Sequence, residues 1–233
     1  MELCTATVPA LAAVAGLVHG FERRAPGDGA ESRDAAVARV AGALERSGRL
    51  LVLKQVHGAR VVEAPWAVAP EADAAVAAEP GWLLGIQTAD CLPVLLVDPE
   101  RRLVAAAHAG WRGTAAGVAA RAVEALVARG SSAVDLLAGV GPGIGPCCYE
   151  VGDEVRETFG ASGAPDFRPG PNGRSRLDLR AANVRQLLAA GLRPESVQHV
   201  DECTRCRADR YHSYRRDGKG AGRMISFVGF ARA

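Results

Sequence analysis

The chain has 233 residues, with 28 basic against 26 acidic and a formal charge of +2, so no global field draws it to nucleic acid or to an anionic membrane. Aromatic residues make up only 5%, which argues against a platform for stacking single strands. At this length and 48% hydrophobic content a single core is large enough to need no staples. The apolar run Val8–Val18 contains Pro9 and falls short of the roughly 20 residues of a membrane span. Glu2, and no basic residue, precedes it, which makes a poor secretory signal. The expectation is a cytosolic (cytoplasmic) protein whose six cysteines are thiols or metal ligands rather than a disulfide framework.

Residues 8–22 read as a buried strand ending at His19-Gly20-Phe21, and Asp28–Gly29 as a turn. A helix is expected over Ser32–Arg46, because Val37, Val40, Ala41 and Leu44 share a face and Gly48 can end it. Leu50–Val56 predicts a central strand, Arg60–Glu63 its returning partner, and Ala72–Val76 and Trp82–Gln87 two more. Pro93–Asp98 and Leu103–Ala107 flank the turn-like Pro99-Glu100-Arg101-Arg102 and predict a β-hairpin. Thr114–Arg129 carries the apolar stripe Val118, Ala122, Val123, Leu126 and Val127, with Gly130 placed as a C-cap. Val134–Val140 is a further strand, Gly141–Pro146 a rigid loop, Asp153–Phe159 a helix and Gly160–Ser175 a surface loop. Asp178 can cap a helix that ends at Gly191, and Val197–Val200 and Met224–Phe230 are the last strands. Strands pair locally and alternate with helices only in part, so one α/β (α+β) domain with a mixed sheet and outer helices fits over 1–233.

The hairpin brings Asp90-Cys91 and His108 to its open end, where apolar strand gives way to Gly- and Ala-rich turn. The following Ala109-Gly110-Trp111-Arg112-Gly113 leads into a helix start, an anion-friendly position. His57, Cys91 and His108 each end a predicted strand but are too far apart in sequence for a local metal motif. From spacing alone, two ordinary histidines and a buried thiol are the plainer reading, and what points to a site is that all three precede glycine- or proline-containing turns. As a set, two imidazoles and a thiolate with an open fourth position suit catalytic zinc. A blue-copper centre would need a weak axial ligand. Only Met1 and Met224 could supply one, and five histidines cannot furnish several copper centres, so copper is the poorer fit. Cys203-Thr204-Arg205-Cys206 could form a four-thiol site with Cys147-Cys148, but adjacent cysteines rarely hold one ion and simple packing is the expectation. In Gly141–Pro146 two prolines remove amide donors, so a turn shaping a pocket wall is expected rather than a phosphate cradle. Residues 211–218 combine aromatic, imidazole and guanidinium groups and read either as a solvated loop or as contacts for a base-and-phosphate ligand, and Arg24 and Arg112 are further anion contacts or plain surface charges.

Taken together, KQVHG (54–58), TADCLPVLL (88–96), AAAHAGWRG (105–113), GPGIGPCCYEVG (141–152), LDL (177–179), CTRC (203–206), SYRRDG (213–218) and GRM (222–224) resemble the bacterial laccase-domain family. That family is also called the YfiH-type polyphenol oxidase, purine nucleoside phosphorylase or peptidoglycan editing factor family. Before residue 50 the match is partial: HGFERRAPGDG (19–29) departs from the family pattern at Glu22 and Pro26, and Arg24 is the position carried over. The resemblance implies a single α/β domain of two mixed sheets packed together with helices outside. It implies zinc held by His57, Cys91 and His108, and phosphorolysis of adenosine, inosine and methylthioadenosine together with adenosine deamination. The partners are then a small-molecule nucleoside and phosphate, with Arg24, Arg112, Tyr214 and Arg215 binding substrate and His212 as acid beside the central Cys91 and His108. Two other readings remain open: a Cys–His amidase or deamidase with Cys91 as nucleophile and His108 as base, on a peptidoglycan precursor or other amide, and a nucleotide- or metal-binding module without catalysis. The older copper-dependent polyphenol oxidase label belongs to the same family.

Overall fold

The computed structural model describes residues 3–24, 29 and 31–232. The first half runs β1 (Thr5–Ala6), α1 (Pro9–Ala12), β2 (Leu17–Glu22), α2 (Arg33–Leu44), β3 (Arg49–Val52), β4 (Val61–Glu63), β5 (Ala74–Ala77), β6 (Trp82–Thr88), β7 (Leu92–Asp98) and β8 (Leu103–Ala109). The second half runs α3 (Trp111–Ala115), α4 (Val118–Val127), β9 (Leu137–Val140), β10 (Glu150–Val151), α5 (Asp153–Phe159), β11 (Phe167–Pro169), β12 (Ser175–Leu177), α6 (Leu179–Ala189), β13 (Val197–His199), α7 (Tyr214–Asp217) and β14 (Met224–Phe230).

Strand β7 shows why two large sheets form. Every one of its residues is buried, with Leu92, Val94 and Leu96 facing one core and Leu95 and Val97 the other. Period-2 alternation of apolar side chains on both faces is the pattern of a strand covered on both sides. One sheet has the order β13-β9-β7-β8-β5-β4 and the other β1-β2-β14-β6-β3. They pack face to face through Leu84, Ile86, Val228 and Phe230 against Leu95, Val97, Val104 and Ala106. The outer face of the first sheet is covered by α4 and α6, and that of the second by α2. The result is a single α+β domain layered helix, sheet, sheet, helix. Among the described residues no helix is long and apolar enough to cross a membrane.

Several expected elements take another form. Residues 8–22 are not one strand, because Pro9 starts the short α1 and Gly16, at φ 72°, turns the chain into β2. Residues 60–63 do not return against β3. Strand β4 instead joins the other sheet, parallel to β5, so the segment between β3 and β4 crosses from one sheet to the other. The expected helix 114–129 is two helices, interrupted at Gly117 (φ 78°). The stretch 160–175 is not merely a loop: β11 pairs with β12, and with β10 they make a third, three-stranded sheet where two sheets were expected. The Asp28 turn falls outside the described residues. Asp178 caps its helix as read, accepting from the amide of Ala181, and Ser32, expected as the first helical residue, is instead the cap of α2, accepting from the amide of Ala35.

Leu95 is fully buried between the two sheets. Leu95→Ala should therefore cost about 2–5 kcal/mol, whereas Val134→Ala, at a side chain 48% exposed, should stay within about 0.5 kcal/mol. Urea unfolding of the two variants checks the contrast.

Candidate active site

A carboxylate in an alanine-rich run organises the site. Asp73 lies between β4 and β5 and is fully buried. Its Oδ1 accepts from the His57 amide at 2.9 Å, and its Oδ2 from the amides of Gly58 at 2.6 Å and Val56 at 3.2 Å. The sheet-crossing loop is thereby wrapped around one side chain, and it holds His57 at φ 63°, a backbone conformation few non-glycine residues adopt. The same Oδ1 lies 2.8 Å from Nδ1 of His108, and the Asp73 carbonyl accepts the His108 amide at 2.7 Å. With Nδ1 engaged, His108 is directed to present Nε2. Cys91 enters from the strand beside it. Its neighbour Leu92 pairs with Ala109, and Pro93 with His108, so the hairpin closes as read and brings thiol and imidazole together.

The donor atoms of His57, Cys91 and His108 all lie within 4.8 Å of one another, and the two imidazole rings meet edge to face at 4.8 Å. Gly110 closes the back of the cluster. A Cβ there would stand 2.9 Å from Cys91 Sγ and 3.3 Å from the His57 ring, so only glycine lets the backbone pass. Asp90, at φ 89°, sets the approach of Cys91. Its carboxylate accepts from Thr204 Oγ1 and from the Arg215 amide, each at 2.6 Å, and its carbonyl accepts from Ile144. Burial alone would raise the Cys91 thiol, but the His108 imidazolium beside it overcomes this and brings it down to about 6. Burial would likewise depress His108, yet the Cys91 thiolate and Asp73 hold it up at about 9. Asp73 lies below the usual carboxylate range, because hydrogen bonds from His108 and the loop amides outweigh its burial.

The cluster opens on a cavity of about 500 Å3. His57, Cys91, His108, Arg112, Tyr214 and Arg215, all singled out from sequence, line it together. Arg112 stacks on Trp111 at 4.2 Å and Arg215 on Tyr149 at 5.2 Å. Ile144 contributes to the wall, the role read for the Gly/Pro loop. His212 and Arg24 line a neighbouring cavity instead, with Glu22, Arg39 and Met224, and Arg223 lines both. Sequence reasoning missed Asp73, Gln55, Gln87, Tyr149, Arg33 and Arg223. Gln55, Tyr149 and Arg223 stand inside the motifs KQVHG, GPGIGPCCYEVG and GRM, and Asp73 left its own signal as a lone carboxylate inside the apolar run 72–76.

Two imidazoles and a low-pKa thiol converging on one cavity, with one imidazole oriented by a carboxylate, fit a divalent metal ion. Fold and site together define an α+β domain built around an open three-donor centre beside a cation-lined pocket. The chain belongs to the family described as multi-copper polyphenol oxidoreductase laccase, whose model matches residues 19–231. It is 43% identical over 181 residues to a Deinococcus radiodurans protein named purine nucleoside phosphorylase, covering 77% of this chain and 70% of that one. It is 36% identical over 186 residues to a protein from an unknown prokaryote named adenosine deaminase RL5, covering 78% and 71%. In solved structures it superposes on YlmD from Geobacillus stearothermophilus with a TM-score of 0.85 at 31% identity, covering 97% of this chain and 94% of that one. The corresponding values for Neisseria meningitidis NMB0706 are 0.86 and 30%, with both chains covered in full.

Asp73→Asn keeps the shape of the side chain but removes the charge that orients His108 and gathers the loop amides. Metal affinity at the cluster should fall about 10–100-fold, as read by competition with a chromophoric chelator.

Proposed function

We propose that this chain is a zinc-dependent purine nucleoside phosphorylase acting on adenosine, inosine and methylthioadenosine, and that it also deaminates adenosine. It is an enzyme of the cytosol, and its six free cysteines suit a reducing compartment. The observation that carries the reading is the convergence of the His57–Cys91–His108 cluster and the guanidinium groups of Arg33, Arg112, Arg215 and Arg223 on one cavity. His57, Cys91 and His108 would hold the ion, which when bound supplies Lewis acidity in the cavity. The cavity falls within the usual size range of small-ligand sites.

The chain's own residues account for the rest. Arg112 and Arg215 grip the phosphate, the first stiffened by Trp111 and the second anchored through its amide to Asp90. Phosphate oxygen then attacks C1′ as the bond to the base breaks, and the base leaves with a proton. Trp111, Tyr149 and Tyr214 offer flat apolar surface to a purine. Tyr149 is pushed up by burial, with the Cys91 charge adding to it, and so stays a neutral phenol able to donate a hydrogen bond to the base. The acid role read for His212 would have to be exerted from the neighbouring cavity, and Tyr149 is the donor that lines this one. Gln87 lines the same cavity, and its backbone is held there by the Gln55 side chain through both its amide and its carbonyl.

Purified enzyme given inosine or adenosine and phosphate should release free base and ribose 1-phosphate. Arg112→Ala and Arg215→Ala should raise KM for phosphate at least tenfold while moving KM for nucleoside less. Equal base release with and without phosphate would mean hydrolysis, and would remove the arginines from this role.

The Asp73–His108–Cys91 alignment favours a second reading, because without metal it has the form of a Cys–His amidase whose imidazole is oriented by a carboxylate. Iodoacetamide separates the two. A zinc-held Cys91 should be alkylated slowly, and chelation should expose a thiolate whose alkylation rate rises with pH through about 6. Full amide-hydrolysing activity in metal-free enzyme, extinguished by alkylation at Cys91, would favour the amidase.

A further inference from the structure

Four cysteines meet beside a second cavity that shares Arg215 with the first. Cys147 and Cys148 come from the turn after the Gly/Pro loop, and Cys203 and Cys206 from the loop that follows β13. Their four Sγ atoms all lie within 4.8 Å of one another, with Cys147 and Cys206 at 3.6 Å and Cys148 and Cys206 at 3.4 Å. All four are free thiols. Adjacency had weighed against such a quartet, since neighbours in a strand point to opposite faces. Here the pair is in a turn. The amides of both Cys148 and Tyr149 return to the Gly145 carbonyl, and the curled backbone sends both side chains to one side. The C-x-x-C pair is in a turn as well, closed by the Arg207 amide on the Cys203 carbonyl.

We infer that these four thiols form a second, structural metal site that takes zinc as a tetrathiolate. Zinc–sulfur bonds of about 2.3 Å in a tetrahedron put the sulfurs about 3.8 Å apart, and separations of 3.4 and 3.6 Å, with all four sulfurs within 4.8 Å of one another, lie close to that geometry. Two surroundings favour the bound form. The Gly145 amide donates to Cys203 Sγ at 3.2 Å and Arg205 to Cys148 Sγ at 3.5 Å, contacts that stabilise metal-bound thiolates. The adjoining cavity, lined in part by Cys147 and Cys148, carries Arg174, Arg176, Arg205 and Arg215 against the single acid Glu150. That excess of positive charge offsets the negative charge left when four thiols give up their protons to solvent and one divalent ion enters. The effect is to staple two loops that build the catalytic cavity. One supplies Ile144 and Tyr149. The other supplies Thr204, which bonds Asp90 beside Cys91, and runs on to Tyr214 and Arg215. The inference stands on the thiols alone and does not depend on the reaction catalysed.

The test uses full-length His57→Ala, whose catalytic cluster lacks a donor, purified under reducing conditions and titrated with zinc or cobalt. One tightly held equivalent is expected. Cobalt should give the strong thiolate charge-transfer and visible bands of a tetrahedral sulfur site, and adding Cys206→Ser should abolish them. Wild-type enzyme, which needs no variant to fold, should bind two equivalents, and the sulfur-rich spectrum should account for one. Withdrawing that one equivalent from His57→Ala should speed amide exchange over 145–149 and 203–207. Absence of the sulfur-rich spectrum from reduced wild type, its persistence in the Cys206→Ser variant, or a Cys147–Cys206 or Cys148–Cys206 disulfide that survives purification under reducing conditions and excludes metal would each overturn the site.

Discussion

One buried carboxylate holds the centre together. Asp73 satisfies three consecutive loop amides and an imidazole at once, so the energy of burying its charge is offset by hydrogen bonds from every side. Without it the sheet-crossing loop would have three amides to satisfy elsewhere, and His57 would have no reason to remain in left-handed backbone. Its position follows from topology. The loop ends in β4, β4 runs parallel to β5, and Asp73 is the residue immediately before β5. The carboxylate therefore meets the loop from the neighbouring strand and His108 from the strand beyond, since β5 also pairs with β8.

The rest of the architecture keeps this point rigid on one side and adjustable on the other. Behind the cluster are two sheets with apolar residues on both faces of β7 and β8, which leaves little freedom for Cys91 or His108 to move. In front are loops fastened by polar contacts. Asp90 fastens to them through Thr204, Arg215 and Ile144. Tyr211 is fully buried, and its hydroxyl meets Glu202 and Arg23, which ties the loop carrying Tyr214 to the chain beyond β2. Strained backbone at His57 and Asp90 flanks the donor cluster, where surrounding hydrogen bonds can hold it.

Net charge conceals the local field. A chain with a formal charge of +2 nonetheless places Arg33, Arg112, Arg215 and Arg223 around one cavity and four arginines around another. The first set is paired with flat aromatic surface, the second with thiols. A nucleoside and an oxyanion suit the former, and a negatively charged metal–thiolate cluster the latter. The two sites share Arg215, and the loops between them carry both sets of residues.

The hairpin of Cys91 and His108 was legible in sequence because its two runs are apolar and close a short turn, and local pairing is what periodicity reports. Helix α5, strand β14 and the cap at Asp178 were legible for the same reason, since each depends on neighbours along the chain. The family, and with it the His57–Cys91–His108 set, was readable from ordered motifs, but no spacing rule brings position 57 to position 91. That meeting depends on β3 and β4 lying in different sheets, a long-range choice made by which apolar faces pack together. The same choice put His212 and Arg24 in the neighbouring cavity and drew Arg33, Tyr149 and Gln87 into this one. It also gathered four cysteines whose adjacency in sequence had argued against them. Residue chemistry and local elements were determined by the sequence alone. Which of those chemistries meet was decided only by the packing of sheet on sheet, because contacts between distant residues leave no periodic trace in the chain.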